Sequence, residues 1–157
     1  MAVLQIKEQL FGLNSIDVAS YLDFLAELYI TYGNYTKAST ILNRALEIKK
    51  NQLDVKSAST AKTYSLLADL TRKQGQYQQA QELFQKTLEI LESVFRKDDP
   101  VIAIVYNNFA LTFRQQAKGG DKTDPNLVNA DQLYMKALTI LERNYGEQHS
   151  LGTSNIS

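Results

Sequence analysis

A stretch of this chain returns 42 positions later, and that period constrains the fold more than any other feature. Residues 25–48, LAELYITYGNYTKASTILNRALEI, come back at 67–90 as LADLTRKQGQYQQAQELFQKTLEI. Ala26, Gly33, Tyr35, Ala38 and Leu46 correspond to Ala68, Gly75, Tyr77, Ala80 and Leu88. A third copy starts in phase at Ala110, reads FALTFRQQAKGG, and resumes as NADQLYMKALTIL. Ala130 and Leu138 lie 50 positions after Ala80 and Leu88, so this copy holds eight extra residues between its halves. Leu4 and Ile6 lie 42 before Leu46 and Ile48, so the chain starts inside a repeat. A period of this size is the mark of a solenoid, in which each unit buries its apolar face against the next.

Each unit reads as two helices. Leu22, Leu25, Ala26 and Tyr29 follow the i, i+3, i+4, i+7 spacing of an amphipathic helix. Gly33 supplies the turn, because glycine accepts the left-handed backbone that ends a helix. A second helix runs from about Tyr35, with Ala38, Ile41, Leu42, Ala45, Leu46 and Ile48 on its apolar side. Ala26, Ala38 and Ala45 are small enough to let two helix backbones approach. Asp99-Pro100 and Asp124-Pro125 each read as an N-cap followed by proline in the first turn. Gly12 and Gly146 are expected just past the ends of second helices. Few period-2 runs bounded by turns are present, which leaves little room for strands.

Composition excludes several classes. Lys plus Arg and Asp plus Glu number 17 each. A nucleic-acid or anionic-membrane binder would carry a basic excess, so neither is expected. No apolar run reaches the length of a membrane span. With no Cys and one His, His149, a metal site has almost no ligands to draw on. The lack of Cys and of a signal peptide suits the cytoplasm. No P-loop, H-E-x-x-H or G-x-S-x-G pattern occurs, and Glu89 and Glu92 read as a solvated face rather than an acid/base pair. Neither a catalytic constellation nor a cofactor is expected.

The order A…Y…GxY…A…A resembles the tetratricopeptide repeat. The 42-residue period is similar to the long variant of kinesin light chains. Ala45-Leu46-Glu47-Ile48, Lys97-Asp98-Asp99-Pro100 and Tyr145-Gly146-Glu147-Gln148-His149 match its helix ends and linkers, and Tyr106-Asn107-Asn108-Phe109-Ala110 resembles its L-N-N-L-A. Thr87 and Thr71 depart from its usual Ala and Tyr. The resemblance implies an all-α fold, a right-handed superhelix of about three helix-turn-helix repeats with partial terminal units. Residues 1–14 end a preceding repeat, 15–56, 57–98 and 99–149 form three repeats with an insertion near 118–125, and 150–157 are a linker or the start of another. It also implies a concave groove lined by first helices that binds a peptide or helix of a partner, as in an adaptor or scaffold. Positions carried over to that groove are Ser20, Asp23, Phe24, Glu27 and Thr31, then Lys62, Ser65, Leu66, Asp69, Arg72 and Lys73, then Asn107, Asn108, Leu111, Arg114 and Gln115.

The residue types suit such a role. An Asn amide both donates to and accepts from a peptide backbone, and Lys or Arg grips a carboxylate. Asp23 and Glu27 against Lys62, Arg72, Lys73 and Arg114 suggest an acidic-to-basic gradient. The bland alternative is that exposed helix faces carry mixed charge anyway. Paired Asn107 and Asn108 are poor mid-helix residues, which favours the groove reading for them. The helical spacing of the tyrosines points to packing. The insertion Lys118-Gly119-Gly120-Asp121-Lys122-Thr123-Asp124-Pro125 reads as a tolerated surface loop, with ligand contact as the sharper alternative. Solenoid ends lacking polar caps leave open a fragment of a longer repeat protein or homo-oligomerisation through those ends. A regulatory or recognition segment of a larger enzyme or signalling protein also fits.

Overall fold

Three residues spaced 42 apart, Ser15, Ser57 and Asp99, each start a first helix in the same way. Their side-chain oxygens accept from the backbone N–H of Val18 at 3.1 Å, Thr60 at 3.1 Å and Val101 at 2.9 Å. Each bond satisfies a donor that the first helical turn leaves without a partner. The computed structural model describes residues 2–154, and the side chains of residues 2–146. All regular structure in them is helical: α1 (Ala2–Phe11), α2 (Ile16–Thr31), α3 (Tyr35–Gln52), α4 (Ala58–Lys73), α5 (Tyr77–Val94), α6 (Pro100–Gln116) and α7 (Pro125–Ser154). This is the all-α helical-repeat class expected from the period. The chain divides into two compact units, Met1–Val94 and Phe95–Ser157.

In the first unit, α2 with α3 and α4 with α5 form helix hairpins, and α1 packs on α2. One core joins Leu4 of α1 to Val18, Ala19, Leu22 and Leu25 of α2 and to Ala45 and Ile48 of α3. A second joins Ala26 and Ile30 of α2, Ala38 and Leu42 of α3, and Leu67 and Leu70 of α4. Ala26, Ala38 and Ala45 are fully buried, as close backbone approach requires.

The hairpin turns are set by glycine. Gly33 and Gly75 both have φ of +79°. Around Gly33, its own N–H donates to the Ile30 carbonyl at 3.1 Å and the Asn34 N–H reaches the Tyr29 carbonyl at 2.8 Å. These bonds take up carbonyls that the helix end would otherwise leave open. A Cβ on Gly33 would meet nothing within 4 Å, so only the backbone resists substitution. Gly33→Ala should therefore cost about 1–2 kcal/mol of unfolding free energy through left-handed strain, read as a fall in the urea midpoint at unchanged slope.

The second unit is the hairpin of α6 and α7. Asp99 caps α6 with Pro100 in its first turn, and Asp124 accepts from the Asn126 N–H at 2.8 Å beside Pro125. Phe109 and Phe113 stack at 5.3 Å within α6. Between the helices, Asp124 accepts from the Lys118 N–H at 3.1 Å, and Asp121 accepts from the Thr123 N–H at 2.9 Å and its hydroxyl at 2.7 Å. The Thr123 hydroxyl, then its amide, hold the Asp121 carboxyl below the usual carboxylate value.

Two details differ from or extend the sequence reading. Gly146 does not end a helix: α7 runs through it to Ser154, and its φ lies outside the left-handed region. Glycine inside a helix costs only about 1 kcal/mol relative to alanine, so it marks a stop only when the backbone turns left-handed there. Thr71 and Thr87, which stand where the repeat pattern has Tyr and Ala, are buried and donate to their own helices, to the Leu67 carbonyl at 2.5 Å and the Leu83 carbonyl at 2.8 Å. A hydroxyl satisfied by the turn before it needs no partner in the core. The linker His149 lies outside the described side chains.

Candidate functional site

The first helices repeat one pattern on their inner faces. Positions 19 and 26 of α2, 61 and 68 of α4, and 103 and 110 of α6 are all alanine, each exposed by 1% or less. Their outer faces do not repeat. α2 shows Ser20, Phe24, Glu27 and Thr31, all exposed. The corresponding residues of α4 are Lys62, Leu66, Asp69 and Lys73, of which Lys62 and Lys73 are exposed and the other two half-buried. Those of α6 are Ile104, Asn108, Leu111 and Gln115; Ile104 and Gln115 are exposed, Asn108 and Leu111 half-buried.

In the first unit the charged positions are less free than their spacing suggested. Asp23 is not a surface residue. It is 2% exposed and accepts from the Lys49 ammonium at 2.5 Å and from the Thr63 hydroxyl at 2.9 and 3.1 Å. Lys49 is itself 1% exposed and donates a further bond to the Ser59 carbonyl at 2.9 Å. Three helices thus converge on one buried ion pair, and its carboxylate has no open side for a ligand. The reason is local packing: Asp23 lies between Ala19 and Ala26 on the side of α2 that meets α3 and α4, and both helices close over it. On α4, Asp69 pairs with Arg72 at 2.5 Å and with Lys73 at 3.7 Å, and Arg72 is largely buried. Ser65 is half-buried beside them. The acidic contribution of α2 therefore rests on Glu27, and the cation of α4 that stands apart from the Asp69 cluster is Lys62. Phe24, with its ring 5.9 Å from that of Tyr21, adds an exposed aromatic surface to the same face.

In the second unit, Asn107 and Arg114 are exposed on α6, with Asn108 and Leu111 half-buried between them. The Asn108 carbonyl accepts from the Thr112 hydroxyl at 2.9 Å, so the backbone there stays helical. These four residues share one stretch of α6 and present amide and guanidinium donors together.

Several tyrosines serve packing, as their spacing implied. Tyr64 is 3% exposed, with the ammonium groups of Lys50 and Lys86 at 5.6 and 5.2 Å from its ring. Lys37 lies 5.5 Å from the Tyr29 ring and Lys136 5.5 Å from that of Tyr106. Among the described residues, no group of three or more His, Cys, Asp or Glu could hold a metal ion, and no helix is long and apolar enough to cross a membrane.

Two family profiles, both for the tetratricopeptide repeat, match residues 19–52 and 59–118, together more than half of the chain. The chain belongs to the tetratricopeptide-repeat family. The structure of BtubC (BKLC) from P. vanneervenii is similar over 85% of this chain, with 25% identity and a TM-score of 0.65. The chain spans 49% of that protein's length. Two structures of a putative kinesin light chain with nearly identical TPR-like repeats, from Podosopora anserina, share the fold at TM-scores of 0.65. They are 17% and 18% identical, over 99% and 96% of this chain and 81% and 80% of theirs. No curated protein sequence matches. As a tetratricopeptide-repeat protein the chain is a protein-interaction repeat module, and repeats of this kind generally serve as non-enzymatic scaffolds.

Proposed function

We propose that this chain is an adaptor that holds a peptide or helix of a partner protein against the outer faces of its first helices. The observation that carries this reading is the contrast between their two sides. The alanines at 19 and 26, 61 and 68, and 103 and 110 keep the inner side constant. The outer side changes at every position from one repeat to the next. A constant packing face with a variable display face is what a recognition scaffold needs, since specificity comes from side chains that the fold itself does not use. Glu27 and Lys62 in the first unit, and in the second Asn108 and Leu111 with the exposed Asn107 and Arg114 beside them, are the residues assigned to contact. Asp69, Arg72 and Lys73 support that surface by fixing the local charge of α4, and Ser65 lies half-buried one turn before Asp69. With Asp23 neutralised, a ligand on the first unit meets a mostly polar face broken by Phe24 and Leu66.

The test is affinity capture with wild type beside the Asn107→Ala, Asn108→Ala, Arg114→Ala triple variant. Loss of an amide pair and one guanidinium should weaken the retained partners by roughly 100-fold or more, at about 1 kcal/mol for each neutral bond and more for a charged one. Equal recovery of the same partners by both would remove α6 from the site.

A further inference from the structure

In the second unit the linker before α6 is strapped to α7, and a cleft lies beside the strap. The Asn144 side-chain amide donates to the Asp98 carbonyl at 2.7 Å and to the Ile140 carbonyl at 2.8 Å. Lys97 of the linker, Tyr106 of α6 and Met135, Lys136, Thr139 and Ile140 of α7 line a cavity of about 300 Å³ there. The first repeat has the same arrangement. Gln52, which corresponds to Asn144, donates to the carbonyl of Asn14, which corresponds to Asp98. Arg44, Glu47 and Ile48 line a cavity of about 260 Å³ beside that bond. These three stand where Lys136, Thr139 and Ile140 stand in the third repeat, so the two clefts are equivalent places in the fold.

Their charge is not equivalent. In the first two repeats the cation of the second helix, Arg44 or Lys86, is followed one turn later by a carboxylate, Glu47 or Glu89, and the linker position holds Leu13 or Val55. Arg44 is also engaged, pairing with Glu8 at 3.5 Å and donating to the Leu13 carbonyl at 2.8 Å. In the third repeat Thr139 replaces the carboxylate and Lys97 replaces the apolar linker residue. The Thr139 hydroxyl turns to its own helix and donates to the Met135 carbonyl at 2.8 Å. Asp98, the carboxylate next to Lys97, is held by Arg96 at 3.2 Å. Among the described residues neither Lys97 nor Lys136 has an ion-pair partner. Two exchanges thus turn a charge-balanced cleft into a doubly positive one. Lys136 is steadied in it by the Tyr106 ring, 5.5 Å from its ammonium.

We propose that this cleft binds a phosphotyrosine side chain of a partner polypeptide. A phosphomonoester carries close to two negative charges at neutral pH, which two ammonium groups match and a single carboxylate does not. The cavity has the size of a small-ligand site, larger than a bare anion needs. Met135 and Ile140 give it an apolar wall, and a thioether is a favourable neighbour for an aromatic ring. Phosphoserine, with one methylene between backbone and phosphate, would leave that wall unused. None of the six lining residues is among those assigned to the adaptor surface, so the two sites stand or fall separately.

The probe is N-acetyl-phosphotyrosine amide, titrated into the full chain and followed by carbon-13 methyl NMR of Met135, one of only two methionines. The Met135 resonance should shift saturably, and the unphosphorylated compound should leave it in place. Inorganic phosphate should bind at least roughly tenfold more weakly, because it cannot use the apolar wall. Lys97→Gln and Lys136→Gln should each weaken the probe roughly tenfold, as loss of one charge-assisted bond does. Thr139→Glu, which restores the carboxylate of the other two repeats, should abolish binding. All three positions are exposed, so the unfolding midpoint should stay at the wild-type value and loss of fold is read apart from loss of binding. No saturable shift, or a shift that neither lysine variant weakens, overturns the proposal. Equal affinity for inorganic phosphate and for the probe overturns it too, since the cleft would then hold an adventitious ion only.

Discussion

Replacing Lys49 with alanine should cost the first unit about 3–5 kcal/mol of unfolding free energy, the range for breaking a buried ion pair by removing one partner. The loss has two parts. The Asp23 carboxylate would stay 2% exposed with its cation gone, keeping only the Thr63 hydroxyl. The Ser59 carbonyl would lose its donor as well. An uncompensated charge dominates, because a buried carboxylate without a partner is far costlier than a missing methylene. The chain supplies its own control. In the next repeat, Leu91 stands where Lys49 does and Ser65 where Asp23 does, and Leu91 is 4% exposed. The double variant Lys49→Leu, Asp23→Ser should therefore recover most of the loss, and an apolar replacement of a buried pair is often neutral or better. The measurement is urea unfolding of wild type, Lys49→Leu, Asp23→Ser and their double variant as a double-mutant cycle, with Lys49→Ala beside them. If Lys49→Ala alone shifts the midpoint by less than the equivalent of about 1 kcal/mol, the pair is not buried as described.

That pair also shows what the sequence could and could not disclose. The repeat, the helix order, the turn at Gly33 and the alanine faces were all legible, because each depends on a residue and its near neighbours along the chain. The pairing of Asp23 with Lys49 and Thr63 depends on residues up to 40 positions apart, so spacing within one helix could not give it. A signal was nonetheless present. Lys49 follows Ala45 and Ile48 at i+4 and i+1, and Asp23 follows Ala19 and precedes Ala26, so each charge stands in the core phase of its own helix. Two opposite charges that both stand in core phase are each other's best partners. Reading Asp23 by family position alone placed it on the surface. Gly146 failed for a related reason, since a glycine ends a helix through its φ, and φ is not written in residue type.

The same distinction bears on the binding surface. Inner positions are constrained by packing and so repeat; outer positions are released from that constraint and diverge. Divergence identifies which side is available for recognition but carries no physical record of the ligand, because the complementary half of the interface belongs to another molecule. The sequence therefore discloses the scaffold in detail and the site only as a face. Burial then removes Asp23 from that face, and the ion pairs to Arg72 and Lys73 reduce what Asp69 can offer it.

Phe84→Ala should be the most damaging apolar truncation in the first unit, at about 3–5 kcal/mol. Phe84 is fully buried in α5, among the largest side chains with no exposure. Its removal takes away the transfer free energy of a ring and leaves a cavity that helix backbones, fixed by Ala68 and Ala80 on either side of the hairpin, have little room to close. Here too the repeat supplies the comparison. Leu42 occupies the same position in the first repeat, also with no exposure, and Tyr134 occupies it in the third. The position thus accepts side chains of different shape when their neighbours are matched to them. Phe84→Leu should cost less than about 1.5 kcal/mol, as volume-conserving apolar exchanges do, so leucine and alanine at this one position should separate clearly in thermal or urea unfolding. Near-equal losses for the two would mean that the ring itself, through its geometry and not its volume, holds α4 and α5 together.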